Sequence, residues 1–143
     1  MNIIIINGPN LNMLGIREPN LYGSATLADL ENKLLAVAEK LNVNLAFYQS
    51  NHEGKIIDVI QESLGKFDGI IINAGGYTHT SIAIMDALKA VNLPTVEVHL
   101  TAIETREDFR QKSYISLVAK KIITGKGFDS YIDALNYLVK TFS

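Results

Sequence analysis

The sequence predicts an α/β fold in which a parallel sheet is covered by helices on both faces. Three observations carry this. The apolar runs are short and β-branched, as in Ile3-Ile4-Ile5-Ile6 and Ile70-Ile71-Ile72. They are apolar on consecutive residues, which suits strands buried on both faces. Amphipathic stretches alternate with these runs along the whole chain.

The elements follow in order. Ile3 to Ile6 is the first strand. A helix begins at Thr26 and runs to about Leu41, because Leu27, Leu30, Leu34, Val37 and Leu41 form one stripe. Thr26 and Asp29 have the spacing of a capping box. Val43 to Gln49 alternates Val43, Leu45 and Phe47 and reads as the second strand. Ile56, Ile57, Val59, Ile60 and Leu64 mark a second helix, stopped by Gly65. Gly69 to Asn73 is the third strand, and Ser81 to Ala90 the third helix. Pro94 opens a fourth strand, Thr95 to His99, and a short helix is expected from Arg106 to Lys112. Lys121 to Thr124 is the fifth strand, and Gly125-Lys126-Gly127 turns the chain into a last helix, Ser130 to Leu138. Five strands in this length suggest the flavodoxin-like order 2-1-3-4-5. The chain of 143 residues is expected to be one domain, 1–143, large enough for a sizeable core.

Composition narrows the function. With 13 Lys+Arg against 15 Asp+Glu, the formal charge of -2 gives no reason to expect nucleic acid or an anionic membrane as partner. Zero cysteines remove disulfides, thiol nucleophiles and thiolate-held metals. The start has neither the basic residues nor the long apolar stretch of a secretory signal, and no run approaches a membrane span, so a cytoplasmic protein is expected. Neither a GxGxxG nor a P-loop pattern occurs, so dinucleotides and nucleoside triphosphates lose their usual support.

In open α/β sheets, ligands bind beyond the carboxyl ends of the strands. The polar residues collect there. Asn7, Asn10, Arg17 and Tyr22 follow strand 1; Asn51, His52 and Glu53 follow strand 2. Asn73, Gly75, Gly76, Thr78 and His79 follow strand 3; Glu97, His99, Thr101, Arg106 and Arg110 end or follow strand 4. The connection from Asn7 to Ala25 is longer than a βα turn needs and reads as a lid or binding loop, or else as a structural Ω-loop. Glu97 and His99, two apart on a strand, point to one face. They form either a general acid with its orienting carboxylate or a hydrogen-bonded pair closing a strand end. His52, His79 and His99 come from separate loops, which makes a weak metal signal. Asn73-Ala74-Gly75-Gly76 lets the backbone approach a ligand at a helix N-terminus. Arg106 and Arg110, four apart, would share a helix face suited to a carboxylate. Tyr22 becomes a useful base only if its pKa falls by ~2–3 units, which needs roughly 3–4 kcal/mol. One arginine at ~4 Å supplies about 4 kcal/mol at an effective dielectric near 20, so one or two nearby arginines suffice where partial desolvation does not cancel the gain.

The assembled motifs resemble a known family. They are Asn7-Gly8-Pro9-Asn10-Leu11-Asn12, Gly15-Ile16-Arg17-Glu18-Pro19, Tyr22-Gly23, Gln49-Ser50-Asn51-His52-Glu53-Gly54, Asn73 through Ser81, and Glu97-Val98-His99-Leu100. In this order they closely resemble type II 3-dehydroquinate dehydratase, over almost the whole chain. The resemblance implies conversion of 3-dehydroquinate to 3-dehydroshikimate with no metal, Schiff base or organic cofactor. It implies Tyr22 as the base with Arg17 favouring its phenolate, Asn10 as enolate stabiliser, and His99, oriented by Glu97, as the acid. It implies Asn73 and His79 on ring hydroxyls, the backbone N–H groups of Leu100 and Thr101 on the carboxylate, and Arg110 on a substrate hydroxyl. Arg106 matches a loop arginine of less defined role. Asp86 matches an acidic residue that reaches a neighbouring subunit's substrate, in a dodecamer built from trimers. Thr101-Ala102 departs from the family's usual Ser-Asn, and Ile103-Glu104-Thr105 lacks its common His-Ala. Thr101 keeps a hydroxyl and an N–H, whereas Ala102 loses an amide side chain.

Other classes fit less well. A flavin carrier on this fold needs a hydroxyl-rich phosphate loop where Asn7-Gly8-Pro9-Asn10 stands. A phosphoacceptor domain needs acidic residues where Asn7 and Asn73 end their strands. A catalytically inactive binding scaffold is opposed by the intact catalytic positions.

Overall fold

In a computed structural model of the chain, residues 1–16 and 24–143 are described. Strands β1 (Asn2–Asn7), β2 (Asn44–Gln49), β3 (Gly69–Asn73), β4 (Thr95–His99) and β5 (Lys121–Thr124) form one sheet of order β2-β1-β3-β4-β5. Every pairing is parallel, and Ile5 faces Phe47 on one side and Ile71 on the other. This is the doubly wound order read from the sequence, with the crossover between β1 and β3 as its switch point.

Helices α1 (Leu27–Leu41), α2 (Glu53–Glu62), α3 (Ile82–Val91) and α4 (Asp129–Phe142) cover the two faces. Strand alternation assigns the cores. Ile3, Ile5, Ile71, Val96 and Val98 point toward α1 and α4, where they meet Leu30, Leu34, Tyr131, Leu135 and Leu138. Ile4, Ile6, Ile70 and Ile72 point the other way, to Ile56 and Ile60 of α2 and Ile84 and Leu88 of α3. Thr26 caps α1 reciprocally: its side chain accepts from the Asp29 N–H, and the Asp29 carboxylate accepts from the Thr26 N–H. Ser81 caps α3 by accepting from the Ile84 N–H at 2.9 Å.

Three expectations are corrected. Residues 106–112 do not form a helix. Short 3-10 turns at Ile103–Thr105 and Asp108–Arg110 stand there instead, and Arg106 between them is extended. The segment has no apolar stripe to bury, and Phe109 is exposed, so nothing repays the cost of nucleating a helix. Leu64 does not belong to the buried stripe of α2: that helix ends at Glu62, and Leu64 is 61% exposed before Gly65 turns at φ +81°. The last helix runs beyond Leu138 to Phe142.

Candidate active site

A cleft opens at the carboxyl ends of β1, β3 and β4. Its wall includes Asn10, Asn73, Gly76, His79, His99, Leu100, Thr101, Arg106 and Arg110. At about 160 Å³ it suits a small polar molecule better than a dinucleotide.

His99 and Glu97 lie at its floor. Glu97 is wholly buried and His99 is 5% exposed, with His99 Nε2 2.5 Å from Glu97 Oε2. Three hydroxyls donate to the same carboxylate: Thr78 at 2.9 Å and Ser113 at 2.7 Å to Oε2, and Ser116 at 2.6 Å to Oε1. Burial pushes the Glu97 carboxyl up. The hydrogen bond and charge of His99, with the bonds from Ser116 and Ser113, outweigh it and hold the group below the usual glutamate range. A carboxylate only accepts, so His99 donates through Nε2–H. Nδ1 is then the nitrogen that can exchange a proton with a ligand.

His79 is oriented by the opposite nitrogen. Its Nδ1 lies 2.7 Å from the Lys112 carbonyl, which can only accept, so Nε2 is left as an acceptor toward a ligand hydroxyl. Asn10 is held in the left-handed region at φ 70°. Its N–H donates to Asn51 Oδ1, and Asn51 is itself fixed by Gln49 Nε2 on the same oxygen and by the Tyr77 hydroxyl on its carbonyl. The Arg110 Nε donates to Glu107 Oε2 at 2.5 Å, with the guanidinium 5.2 Å from the Phe109 ring centroid.

The glycines of the Asn73-Ala74-Gly75-Gly76 turn divide their work. A Cβ on Gly8 would lie 2.4 Å from the Ala74 carbonyl oxygen, and one on Gly75 (φ +59°) 3.0 Å from the Pro9 oxygen. Gly8 and Gly75 thus let the β1 and β3 loops cross closely. Gly76 meets nothing within 4 Å and stays open on the cleft. These residues begin a 3-10 turn, Gly75–His79, and α3 starts only at Ile82. The expected glycine-rich helix N-terminus is therefore one turn removed.

The Dehydroquinase class II family model matches residues 1–139. The chain belongs to the class II dehydroquinase family. It is 55% identical over 139 residues to a 3-dehydroquinate dehydratase of Prochlorococcus marinus (strain NATL1A), covering 97% of this chain and 96% of that one. To the 3-dehydroquinate dehydratase of Endomicrobium trichonymphae it is 54% identical over 137 residues, 96% of each chain. The solved type II dehydroquinase of Butyrivibrio crossotus superposes with a TM-score of 0.95 at 46% identity, over 96% of this chain and 97% of that one.

The cleft of this dehydroquinase-family chain gathers most of the residues singled out in the sequence. Asn10, Asn73, His79, His99, Leu100, Thr101, Arg106 and Arg110 line it, and Glu97 lies directly beneath. His52 is not in the wall; it precedes α2, and the sequence's three-histidine grouping does not form one site. Asp86 is exposed on α3 and is not in the wall of its own cleft. Arg17, Tyr22 and the lid reading of their loop lie outside the described residues. Ala102, where the family's usual asparagine is missing, packs its methyl 3.3 Å from where a Cβ of Gly125 would stand. Sequence reasoning missed Ser113 and Ser116, which reach Glu97 from a loop about twenty residues away. It also missed Tyr131, whose place in the stripe Tyr131, Ala134, Leu135, Leu138 reads as ordinary core.

Proposed function

We propose that this chain is a 3-dehydroquinate dehydratase, removing water from 3-dehydroquinate by anti elimination through an enolate to give 3-dehydroshikimate, in the route to chorismate and the aromatic amino acids. The observation that carries the reading is the buried Glu97–His99 pair at the floor of a polar cleft, in a chain of the dehydroquinase family. Loss of water from a β-hydroxyketone needs a base for the α-proton, a stabiliser for the enolate and an acid for the leaving oxygen.

In this reading Tyr22, with Arg17 stabilising its phenolate, takes the α-proton. Asn10 stabilises the enolate oxygen, directly or through an ordered water. His99 delivers a proton from Nδ1 to the departing hydroxyl, while Glu97 holds the ring and stabilises the imidazolium. Asn73 and His79 bind ring hydroxyls, the N–H groups of Leu100 and Thr101 take the carboxylate, and Arg110 binds a further hydroxyl. Arg106 closes the same side of the cleft. No metal, imine or organic cofactor enters these steps.

The proposal extends to assembly: one catalytic domain per chain, trimers joined into a dodecamer, and Asp86 reaching a neighbour's substrate. Its support is that Asp86 and the 51% exposed Ile82 stand one turn apart on the outer face of α3. No helix among the described residues is long and apolar enough to cross a membrane, and a cytoplasmic location is part of the same reading.

The test is to mix EDTA-treated protein with 3-dehydroquinate and follow the ultraviolet absorbance of the conjugated enone, with Tyr22→Phe alongside. Turnover by the wild type and none by the variant is expected. A folded wild type without turnover would point to an inactive scaffold or a related substrate, with Thr101-Ala102 the first place to look.

A further inference from the structure

Tyr131 on α4 is fully buried, yet its hydroxyl does not end among apolar atoms. It lies 2.6 Å from Asn7 Oδ1 and 3.0 Å from Asn73 Nδ2. Asn7 and Asn73 are register partners at the carboxyl ends of β1 and β3, so the phenol bridges two adjacent strand ends beneath the cleft.

The directions of the hydrogen bonds linking Asn73, Tyr131 and Asn7 follow from one anchor. The Gly75 backbone N–H, which can only donate, lies 3.1 Å from Asn73 Oδ1. The Asn73 amide oxygen therefore faces Gly75, and its NH2 faces Tyr131. The phenol oxygen must accept there, so its single proton goes to Asn7. Asn73 Nδ2 carries a second hydrogen, and Asn73 lines the cleft. Burial pushes the Tyr131 phenol well above its ordinary pKa, against a smaller opposing effect of the Asn73 bond, so the proton stays in place at working pH.

We propose that Tyr131 is a positioning residue: its buried hydroxyl fixes the Asn73 side-chain amide so that Asn73 offers the ligand an N–H donor and not a carbonyl oxygen. The ligand group it would take is an oxygen with a free lone pair, such as a ring hydroxyl. The inference rests on reading the cleft as the 3-dehydroquinate site. Without the phenol oxygen, the amide loses one of the two contacts that hold it, and it can rotate or flip.

The experiment is a double-mutant cycle on KM and kcat with Tyr131→Phe, Asn73→Ala and both together. Tyr131→Phe is expected to raise KM about tenfold, the loss expected for one well-placed hydrogen bond, with kcat changed less than about threefold. In the Asn73→Ala background the same change should move KM less than about twofold, because the residue it acts through is gone. Equal factors in both backgrounds, or an unchanged KM in Tyr131→Phe, would overturn the proposal. Should Tyr131→Phe not fold, Asn7→Ala serves. It leaves the phenol proton free to turn toward Asn73, and KM should rise in the same direction; an unchanged KM overturns the proposal. A second readout needs no activity. In the 15N-labelled wild type the Asn73 side-chain amide should exchange slowly, and in Tyr131→Phe it should lose that protection. A wild type without turnover would sink the dehydratase reading, and the exchange measurement would still decide whether Tyr131 holds Asn73.

Discussion

Glu97 Oε2 and His99 Nε2 lie 2.5 Å apart with the carboxylate fully buried, and the carboxylate gathers hydroxyl donors from Thr78, Ser113 and Ser116. A lone buried carboxylate would take up a proton to escape desolvation. Here the donors come from three places: β4 itself, the 3-10 turn after β3, and the loop before β5. The ionised form is thus built into the packing, and it dictates which nitrogen of His99 can serve a ligand.

Ser116→Ala removes the donor on Glu97 Oε1. Hydrogen bonds to charged groups contribute about 1.5–3 kcal/mol, so the variant should melt ~3–12 °C lower, at about 2–4 °C per kcal/mol. With one lowering influence gone, the Glu97 pKa rises, and the acid limb of the kcat/KM profile should move to higher pH. A pH–rate profile superimposable on the wild type would mean that Ser116 does not tune the pair.

The same carboxylate should mark acid stability. Its folded pKa lies below the usual glutamate value, which is about 4.3 for an unfolded chain. Its stabilisation is fully present above that unfolded value and is lost as pH falls through it toward the folded one. Melting temperatures measured from pH 7 down to pH 3 should therefore fall more steeply for the wild type than for Glu97→Gln, although the variant starts lower at pH 7. Parallel curves would show that Glu97 is not a source of acid sensitivity.

The sheet was legible because β-branched runs such as Ile3–Ile6 and Ile70–Ile72 have no other home in a chain this size, and their order follows from the alternation with helices. The cleft was legible because residues such as Asn73 and His99 end their strands, and strand ends in this fold face the ligand. Ser113 and Ser116 were not legible: they carry no periodicity, and only the path of the loop before β5 brings them to Glu97. Tyr131 was hidden for the opposite reason. It falls on the apolar stripe of α4, and a helix period cannot reveal that one member of the stripe carries a hydroxyl placed between two asparagines.

Gly8→Ala and Gly76→Ala should separate folding from binding. The new methyl at Gly8 would lie 2.4 Å from the Ala74 oxygen and 2.6 Å from its carbonyl carbon, backbone atoms that cannot swing aside. Overpacking of this kind costs about 3 kcal/mol or more, so a fall of at least ~6 °C in Tm is expected. A methyl at Gly76 meets nothing within 4 Å and protrudes at the cleft. Its Tm should stay within ~2 °C of wild type, since a substitution without contacts is nearly neutral, and KM should rise. Equal melting temperatures for the two variants would contradict the close crossing of the β1 and β3 loops.

Borohydride tests the chemistry from another side. A ketone substrate can be activated as an imine only where an unprotonated lysine amine reaches its carbonyl. Among the described residues the cleft wall holds no lysine, and residues 17–23 contain none in sequence. Lys112 contributes its backbone carbonyl to His79, while its ammonium lies 4.5 Å from the Tyr114 ring centroid. The proposed enolate, stabilised by hydrogen bonds, needs no such amine. Incubation with 3-dehydroquinate and borohydride should leave both activity and protein mass unchanged. Time-dependent inactivation, with the mass of a reduced adduct on a lysine-containing peptide, would replace the enolate mechanism with an imine one. The α-proton would still need a base, so Tyr22→Phe would remain the separate test of that role.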